Sequence, residues 1–248
     1  MRAILTYHSI DSTGSVISTS PEAFEAHLHA LATGSVAIVS VPELLRMPDD
    51  RHGVAITFDD AYTNFQQEAW PRLKQHGFPA TLFVPTQFVG KANEWPELPG
   101  GRMPRLPILD WSALGRLQED GLVLGSHTRT HPDLRALGAS RIEEEVTGAA
   151  EDIRRETGRR PSAFSYPYGF WSVNAARVVR EAYDCACTTE LRPLRRGDHP
   201  ELLPRLDSYY LRGPARMEDF GRWSFREYLR VRLAMRMLSQ RLRAAPGE

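Results

Sequence analysis

Short apolar runs alternate along the chain with segments whose apolar residues recur at helical spacing. Runs bounded by Gly, Pro or Asp are typical of buried strands, and apolar residues three and four apart are typical of helices. The pattern predicts strands at 3–7, 36–39, 54–58, 81–84, 122–124, 163–165 and 185–188, with a last strand or edge element at 202–207. It predicts helices near 20–31, 42–45, 62–76, 111–118, 140–155 and 174–182, and one long loop at 90–107.

This alternation favours a parallel sheet with helices outside it. We find no repeat, low-complexity tract or linker, so residues 1–215 are predicted to form a single domain, followed by a helical extension at 216–248. The number of strand–helix units in 248 residues favours a small α/β barrel over an open sheet. Both architectures place functional side chains at the carboxyl ends of strands.

Two adjacent carboxylates, Asp59 and Asp60, directly follow the apolar run 54–58. Like charges side by side repel, and an unpaired buried carboxylate is costly, so a buried pair would need a cation or a proton. The alternative is a solvated loop in which Asp60 caps the next helix, because Asp is a favourable N-cap residue.

Two histidines four residues apart, His127 and His131, follow the predicted strand at 122–124. About one helical turn between them would bring both rings to one point, and neutral imidazoles are common metal ligands. The spacing alone is a weak signal, because both could be surface loop residues. Together with Asp60 they form a set of the kind that holds a catalytic metal with open coordination positions.

Three segments resemble the motifs of the polysaccharide deacetylases, carbohydrate esterase family 4, whose catalytic unit is the NodB-homology domain. They are Thr57–Asp60, His127–His131 and Phe164–Gly169, and the resemblance extends over about 3–207. It implies a distorted (β/α)7 barrel and a metal-dependent enzyme that removes N-acetyl groups from glycans.

The resemblance also implies roles for individual residues. Asp60, His127 and His131 would hold a divalent metal, usually zinc, and Asp59 would be the general base toward the attacking water. The backbone N–H of Tyr168 would be a second donor to the oxyanion.

The sequence departs from the family pattern in two places. Many relatives have an arginine early in the third motif that orients the base, and Ser165 and Tyr166 stand there instead. Relatives also carry a late Leu-x-His motif that supplies the general acid, and the corresponding region 203–207 holds no histidine. Departure of an amine needs a proton, so another residue must supply it.

His8 is the candidate acid. It follows the first predicted strand, in a Tyr-His element similar to the one that opens a circularly permuted branch of the family, seen in biofilm-polysaccharide deacetylases. The first and last strands of a closed barrel are neighbours, so a histidine on either one can reach the site. The alternative is a core histidine bonded to backbone. Arg205 is the candidate to replace the missing arginine beside Asp59, and Arg205, Tyr166 and Tyr168 are the predicted substrate contacts.

The remaining aromatic and histidine side chains carry weaker predictions. Tyr62, Trp95 and Trp171 could stack on a sugar ring, although aromatic residues at such spacings are more often core residues. The other histidines are predicted to be surface residues: His27, His29, His52, His76 and His199.

Composition excludes some classes of protein and indicates a compartment. Lys+Arg and Asp+Glu both number 31, so nothing suggests a nucleic-acid partner. The two cysteines, Cys185 and Cys187, are predicted to be small core residues in a reducing compartment. The first residues do not resemble a signal peptide, and no 18-residue apolar run exists, so the expectation is a cytoplasmic protein, unless an upstream export signal has been lost.

The segment 224–243 combines many arginines with apolar residues at helical spacing. We predict a helix packed on the barrel with a solvated basic face. The alternative is peripheral contact with an anionic membrane surface, where a lipid-linked glycan would be found.

The sequence therefore predicts a metal-dependent deacetylase acting on N-acetylhexosamine units of a glycan or glycolipid, with zinc as the expected metal. One alternative is a hydrolase of another amide or ester at the same metal centre. The other is a catalytically inactive glycan-binding barrel, suggested by the two departures.

Overall fold

The computed structural model describes residues 1–95, 103–212 and 215–244, without the side chains of 215–216 and 237–244. The strands are β1 (Arg2–Tyr7), β2 (Ser9–Ile10), β3 (Ser18–Thr19), β4 (Ala37–Ile38), β5 (Gly53–Phe58), β6 (Ala80–Val84), β7 (Val123–Ser126), β8 (Ala163–Ser165), β9 (Cys185–Cys187) and β10 (Leu206–Asp207). The helices are α1 (Pro21–Thr33), α2 (Val41–Arg46), α3 (Trp70–His76), α4 (Trp111–Glu119), α5 (Ala139–Thr157), α6 (Val173–Ala182), α7 (Ala215–Glu218) and α8 (Trp223–Ala244).

Seven parallel strands run in the order β10-β1-β5-β6-β7-β8-β9, and β4 adds to the start of β5. The gap between the two ends is spanned by residues 203–207. Leu203 forms a parallel bridge with Cys187 of β9, and Leu206 pairs with Leu5 of β1. This short segment closes the sheet into a distorted barrel.

The strands are apolar on both faces, as parallel strands covered by helices require. Val54, Ile56 and Phe58 of β5 enter the main core under the helices, whereas Ala55 points to the other face. That other face is a separate apolar cluster in which both cysteines lie buried as free thiols, as predicted. Gly125 of β7 allows this tight packing, because a Cβ there would lie 2.5 Å from the ring of Phe83.

Most helices begin close to the predicted positions, and four of them begin at a side-chain cap. Ser20, Asp110 and Ser172 each accept a backbone N–H three residues on, and Ser40 forms a full capping box. The C-terminal helix α8 packs on the barrel, and its Phe225 belongs to the main core.

Residues 9–10 and 18–19 pair as short strands for which the sequence makes no prediction, because two-residue strands are too short to show alternation. Two local predictions are wrong. The helix predicted from residue 62 begins as a π-helix at Phe65–Ala69. His27 is buried, not at the surface; its Nε2 bonds the Leu211 carbonyl and its Nδ1 lies 3.0 Å from the Tyr7 hydroxyl.

Part of the predicted long loop, residues 96–102, lies outside the described residues. Among the described residues, no helix is both long and apolar enough to cross a bilayer.

Candidate active site

The predicted site residues converge on one cavity of about 170 Å³ at the carboxyl ends of the strands. His8 follows β1, Asp59 and Asp60 follow β5, and the histidine pair follows β7. The lining residues are His8, Asp59, Asp60, Trp95, Met103, His127, His131, Tyr166, Tyr168 and Thr189.

Asp60, His127 and His131 present one ligand atom each within 4.8 Å of one another, and all three are buried. Oδ1 of Asp60 lies 3.6 Å from Nε2 of His127 and 3.5 Å from Nε2 of His131. In a tetrahedral zinc site with bonds of about 2.0–2.1 Å, neighbouring ligand atoms lie about 3.3 Å apart. The two measured distances are therefore close to those expected between ligand atoms around a first-row divalent cation.

The protonation of these donors also fits a metal. His127 donates from Nδ1 to the Ser165 carbonyl at 2.7 Å, which turns Nε2, its other ring nitrogen, toward Asp60. Burial lowers the pKa of His131 well below its usual value, so this imidazole is neutral. Burial raises the pKa of Asp60, and its Oδ1 is buried without a hydrogen-bond partner among the described residues. A bound cation would supply the partner that this buried oxygen needs.

The backbone around the site is strained. Among the described residues, every non-glycine residue with positive φ lies in the loops that line the cavity: Asp60 (71°), Ala61 (53°), Thr128 (64°), His131 (56°) and Tyr168 (59°). Such conformations are unfavourable for residues with a Cβ and persist only where surrounding contacts impose them.

Glu145, on α5, imposes the shape of the histidine loop. Its Oε2 accepts the backbone N–H groups of Arg129 and Thr130, at 3.0 and 2.8 Å, and its Oε1 accepts the Thr130 hydroxyl. Within the loop, Thr128 accepts the N–H of His131 at 3.0 Å. Glu145 is only 1% exposed, so these bonds compensate for the burial of its charge.

Two aromatic rings hold the imidazole of His131. Trp95 stacks on it with ring centroids 4.3 Å apart, and Tyr168 meets it edge-on at 4.7 Å. Trp95 is only 6% exposed, because its indole packs against the His131 ring, so it has little surface left to contact a sugar.

Asp59 is bound to Arg205 through two parallel hydrogen bonds. Nη1 donates to Oδ1 at 2.8 Å and Nη2 to Oδ2 at 2.7 Å, and the Arg205 side chain is fully buried. Its remaining donors reach the Thr188 carbonyl and the hydroxyl groups of Ser165 and Thr57. Burial alone would raise the pKa of Asp59, but the charge and hydrogen bonds of Arg205 outweigh it and hold the pKa below its usual range.

His8 lies on the other side of Asp59, with Nε2 3.9 Å from Oδ2. Its side chain is 21% exposed and borders the cavity, so a ligand in the cavity could reach it. No described hydrogen bond ties its ring to the backbone, unlike the buried His27.

Two predicted substrate contacts do not match the structure. Arg205 is enclosed behind Asp59, because every side of its guanidinium is used by buried partners. Tyr166 has no exposed surface; its ring packs on Phe164 and its hydroxyl donates to the Glu201 carbonyl. Tyr168 remains half-buried at the cavity, where a ligand can contact it.

Glu145 stands in the middle of a long helix, where no local pattern distinguishes it from other helical glutamates. Trp95 is identifiable from the sequence only as an aromatic residue in a loop. In both cases the partner lies many residues away, and only the fold brings the two together.

Comparisons with known proteins agree with this geometry. A family model described as polysaccharide deacetylase matches residues 46–183, more than half of the chain. The chain belongs to the polysaccharide deacetylase family. Asp60, His127 and His131 all lie inside the match.

The curated relatives match this chain over only part of their own length. YxkH of Bacillus subtilis (strain 168) is 26% identical over 193 residues, 75% of this chain and 64% of that protein. A chitooligosaccharide deacetylase of Bradyrhizobium sp. (strain ANU 289) is 32% identical over 131 residues, 52% of each chain. The chain thus spans less than two thirds of the length of these relatives.

Two solved structures share the fold. The deacetylase PplD of Streptococcus pyogenes superposes with a TM-score of 0.70 at 20% identity, covering 83% of this chain and 91% of that one. IcaB from Ammonifex degensii gives a TM-score of 0.70 at 23% identity, covering 87% and 96%. The predicted distorted barrel is confirmed.

Proposed function

We propose that this protein is a metal-dependent deacetylase that hydrolyses the N-acetyl group of N-acetylhexosamine units in a glycan. The observation that carries the proposal is the division of work between two neighbouring carboxylates. Asp60 faces His127 and His131 and lacks any other partner for one oxygen among the described residues, whereas Asp59 is held as a carboxylate by Arg205.

Asp60, His127 and His131 would hold the cation, and zinc is our first choice because the donor set is two imidazoles and one carboxylate. When bound, a divalent cation supplies a Lewis acid that polarises a carbonyl and acidifies water. Magnesium and calcium are poorer candidates, because they prefer sites built from oxygen ligands.

Asp59 would accept the proton of the attacking water. Arg205 keeps it ionised and fixes both oxygens, which is the orientation that the family arginine of the third motif provides from another position. The same ion pair makes Asp59 a weaker base, so its contribution depends on being held beside the reacting water.

His8 would return a proton to the departing amine. It borders the cavity, stands next to Asp59, and is the one cavity histidine outside the proposed ligand set. The backbone N–H of Tyr168 would stabilise the oxyanion, as the third motif suggests. His8→Ala should lower kcat by about 10²–10⁴-fold while leaving the bound metal in place. Activity near wild type in that variant would refute the role.

The substrate class follows from the printed activities of relatives and the form of the cavity. Relatives include chitooligosaccharide deacetylases and a peptidoglycan-N-acetylglucosamine deacetylase. A cavity of about 170 Å³ lined both by polar groups and by Trp95, Met103 and Tyr168 suits an acetamido group on a sugar ring.

Acetate release tests this function directly. The purified protein is stripped with chelator, reloaded with zinc, cobalt or manganese, and assayed on chitooligosaccharides and peptidoglycan fragments. We expect metal-dependent acetate release, loss of both metal and activity in His127→Ala, and loss of activity alone in Asp59→Asn. Bound metal without acetate from any N-acetyl sugar would favour a hydrolase of another amide or ester, and failure to bind metal would favour a glycan-binding barrel.

Membrane contact through residues 224–243 remains a further proposal. Phe225 and Leu229, part of the apolar face, are buried against the barrel. Contact would therefore use the outward side of α8, where Trp223, Val231 and Met235 are exposed. Flotation with anionic liposomes, with and without residues 224–248, tests it; equal flotation of both forms would reject it.

A further inference from the structure

A cavity of about 430 Å³ lies at the end of the barrel opposite the catalytic site. Arg2, at the start of β1, lines this cavity, whereas His8, just past the end of β1, lines the catalytic one. Its main walls are residues 191–196 and helix α8, both outside the segment that matches the family model. The main walls of the cavity therefore lie outside the part of the chain that the family match covers.

The inner surface of the cavity is apolar and well ordered by packing. Leu191, Leu194 and Leu229 are buried there, with exposures of 1%, 9% and 2%, and Leu233 packs beside them. Such a floor can hold the uncharged part of a small ligand.

The rim of the cavity carries six arginines. Three of them are neutralised, in the pairs Arg2–Asp49, Arg192–Asp198 and Arg230–Glu227. Across the described part of the chain, no carboxylate oxygen lies within 4.0 Å of the guanidinium nitrogens of Arg195, Arg196 or Arg226. Among the described residues, Arg196 and Arg226 are thus left without an ion-pair partner beside the apolar floor, and Arg195 has only a longer-range attraction to Asp198, which already pairs with Arg192.

The excess positive charge affects a neighbouring group. The pKa of His52 is lowered, first by burial and then by nearby positive charges that include Arg226. A bound anion would relieve this repulsion, whereas a cation would add to it.

We propose that this cavity binds a phosphate-bearing ligand, with Arg195, Arg196 and Arg226 holding the phosphate and the uncharged part lying on the leucine floor. Guanidinium groups match phosphate oxygens in pairs of parallel hydrogen bonds, which favours phosphate over a simple halide-type anion. The apolar floor favours a phosphate ester over inorganic phosphate. The proposal does not depend on the deacetylase function.

Titration calorimetry with phenyl phosphate tests the site, with phenol as the uncharged reference. We compare the wild type with Arg196→Ala/Arg226→Ala and with the matched control Arg116→Ala/Arg159→Ala, which removes two exposed arginines that do not line the cavity. The wild type and the control should bind phenyl phosphate, more weakly at high salt, and the cavity variant should lose about tenfold or more in affinity.

Vesicle sedimentation identifies the source of the phosphate. Binding to phosphatidylglycerol vesicles but not to phosphatidylcholine, lost in the cavity variant alone, would assign a lipid headgroup. Binding of phenyl phosphate without vesicle binding would assign a soluble phosphate ester. No binding of either probe, or equal weakening in both arginine variants, would overturn the proposal; thermal melts of all variants verify that they are folded.

Discussion

Replacing Arg205 by Met should destabilise the protein far more than the loss of one surface charge. The substitution leaves Asp59 as a buried carboxylate without its bidentate partner, and removes the donor to the Thr188 carbonyl. Breaking a buried ion pair by removing one partner typically costs about 3–5 kcal/mol. We expect the free energy of unfolding of Arg205→Met to fall by about that amount at neutral pH.

Removing the second charge should restore part of this loss. In Arg205→Met/Asp59→Asn neither charge of the pair remains, so we expect the double variant to be more stable than the sum of the two single effects predicts, by about 1–3 kcal/mol. This coupling energy separates the ion pair from simple loss of packing around a large side chain.

Urea unfolding in the presence of chelator measures these free energies without a contribution from bound metal. Arg154→Met is the matched control, because Arg154 pairs with Glu151 on the exposed side of α5. Exposed pairs typically contribute under about 1 kcal/mol, so this control should change little. If Arg205→Met is no less stable than the control, or if the single effects simply add, the ion pair does not carry the energy assigned to it.

Two further predictions address other buried groups. Glu145→Gln removes the charge that holds the histidine loop, and should weaken zinc affinity about 10–100-fold in a chelator competition assay. The variant of its exposed neighbour, Glu144→Gln, should keep the wild-type affinity. Equal zinc affinity in both variants would reject the role of Glu145. Burial lowers the pKa of His27 in the folded protein below the usual 6.5, so the unfolded chain binds a proton more readily than the folded one. The stability that neutral His27 contributes is therefore fully present above pH 6.5 and is lost as the pH falls toward the folded-state pKa. His27→Gln should therefore show a smaller loss of melting temperature than wild type between pH 7 and acidic pH, and identical slopes would contradict the assignment.

The sequence was sufficient for those features that are local in the chain. Strand positions follow from short apolar runs, and helix starts follow from residues such as Ser20 and Asp110, because both signals lie within a few residues. The ligand set was also predictable, since Asp60 and the histidine pair stand directly after strands whose ends meet at one edge of a parallel barrel.

Features that depend on distant contacts could not be obtained in this way. The absence of the usual arginine makes Arg205 a candidate partner of Asp59, but its complete burial behind Asp59 depends on the closure of the barrel. His27 is predicted to be a surface residue because its partners, Tyr7 and Leu211, lie 20 and 184 residues away in the chain. Glu145 and Trp95 likewise act on residues of another element.

The closing segment 203–207 has a consequence for how the site is assembled during synthesis. The proposed metal ligands are all present once residue 131 has been made, but Arg205 arrives only in the closing segment, whereas His8 stands just past the first strand. A chain trimmed to the matched region 46–183 would keep the three proposed ligands and lose Arg205 and His8 from beside Asp59. Under the proposed function, the groups for metal binding and for proton transfer are thus completed at different chain lengths, and closure of the barrel brings them together.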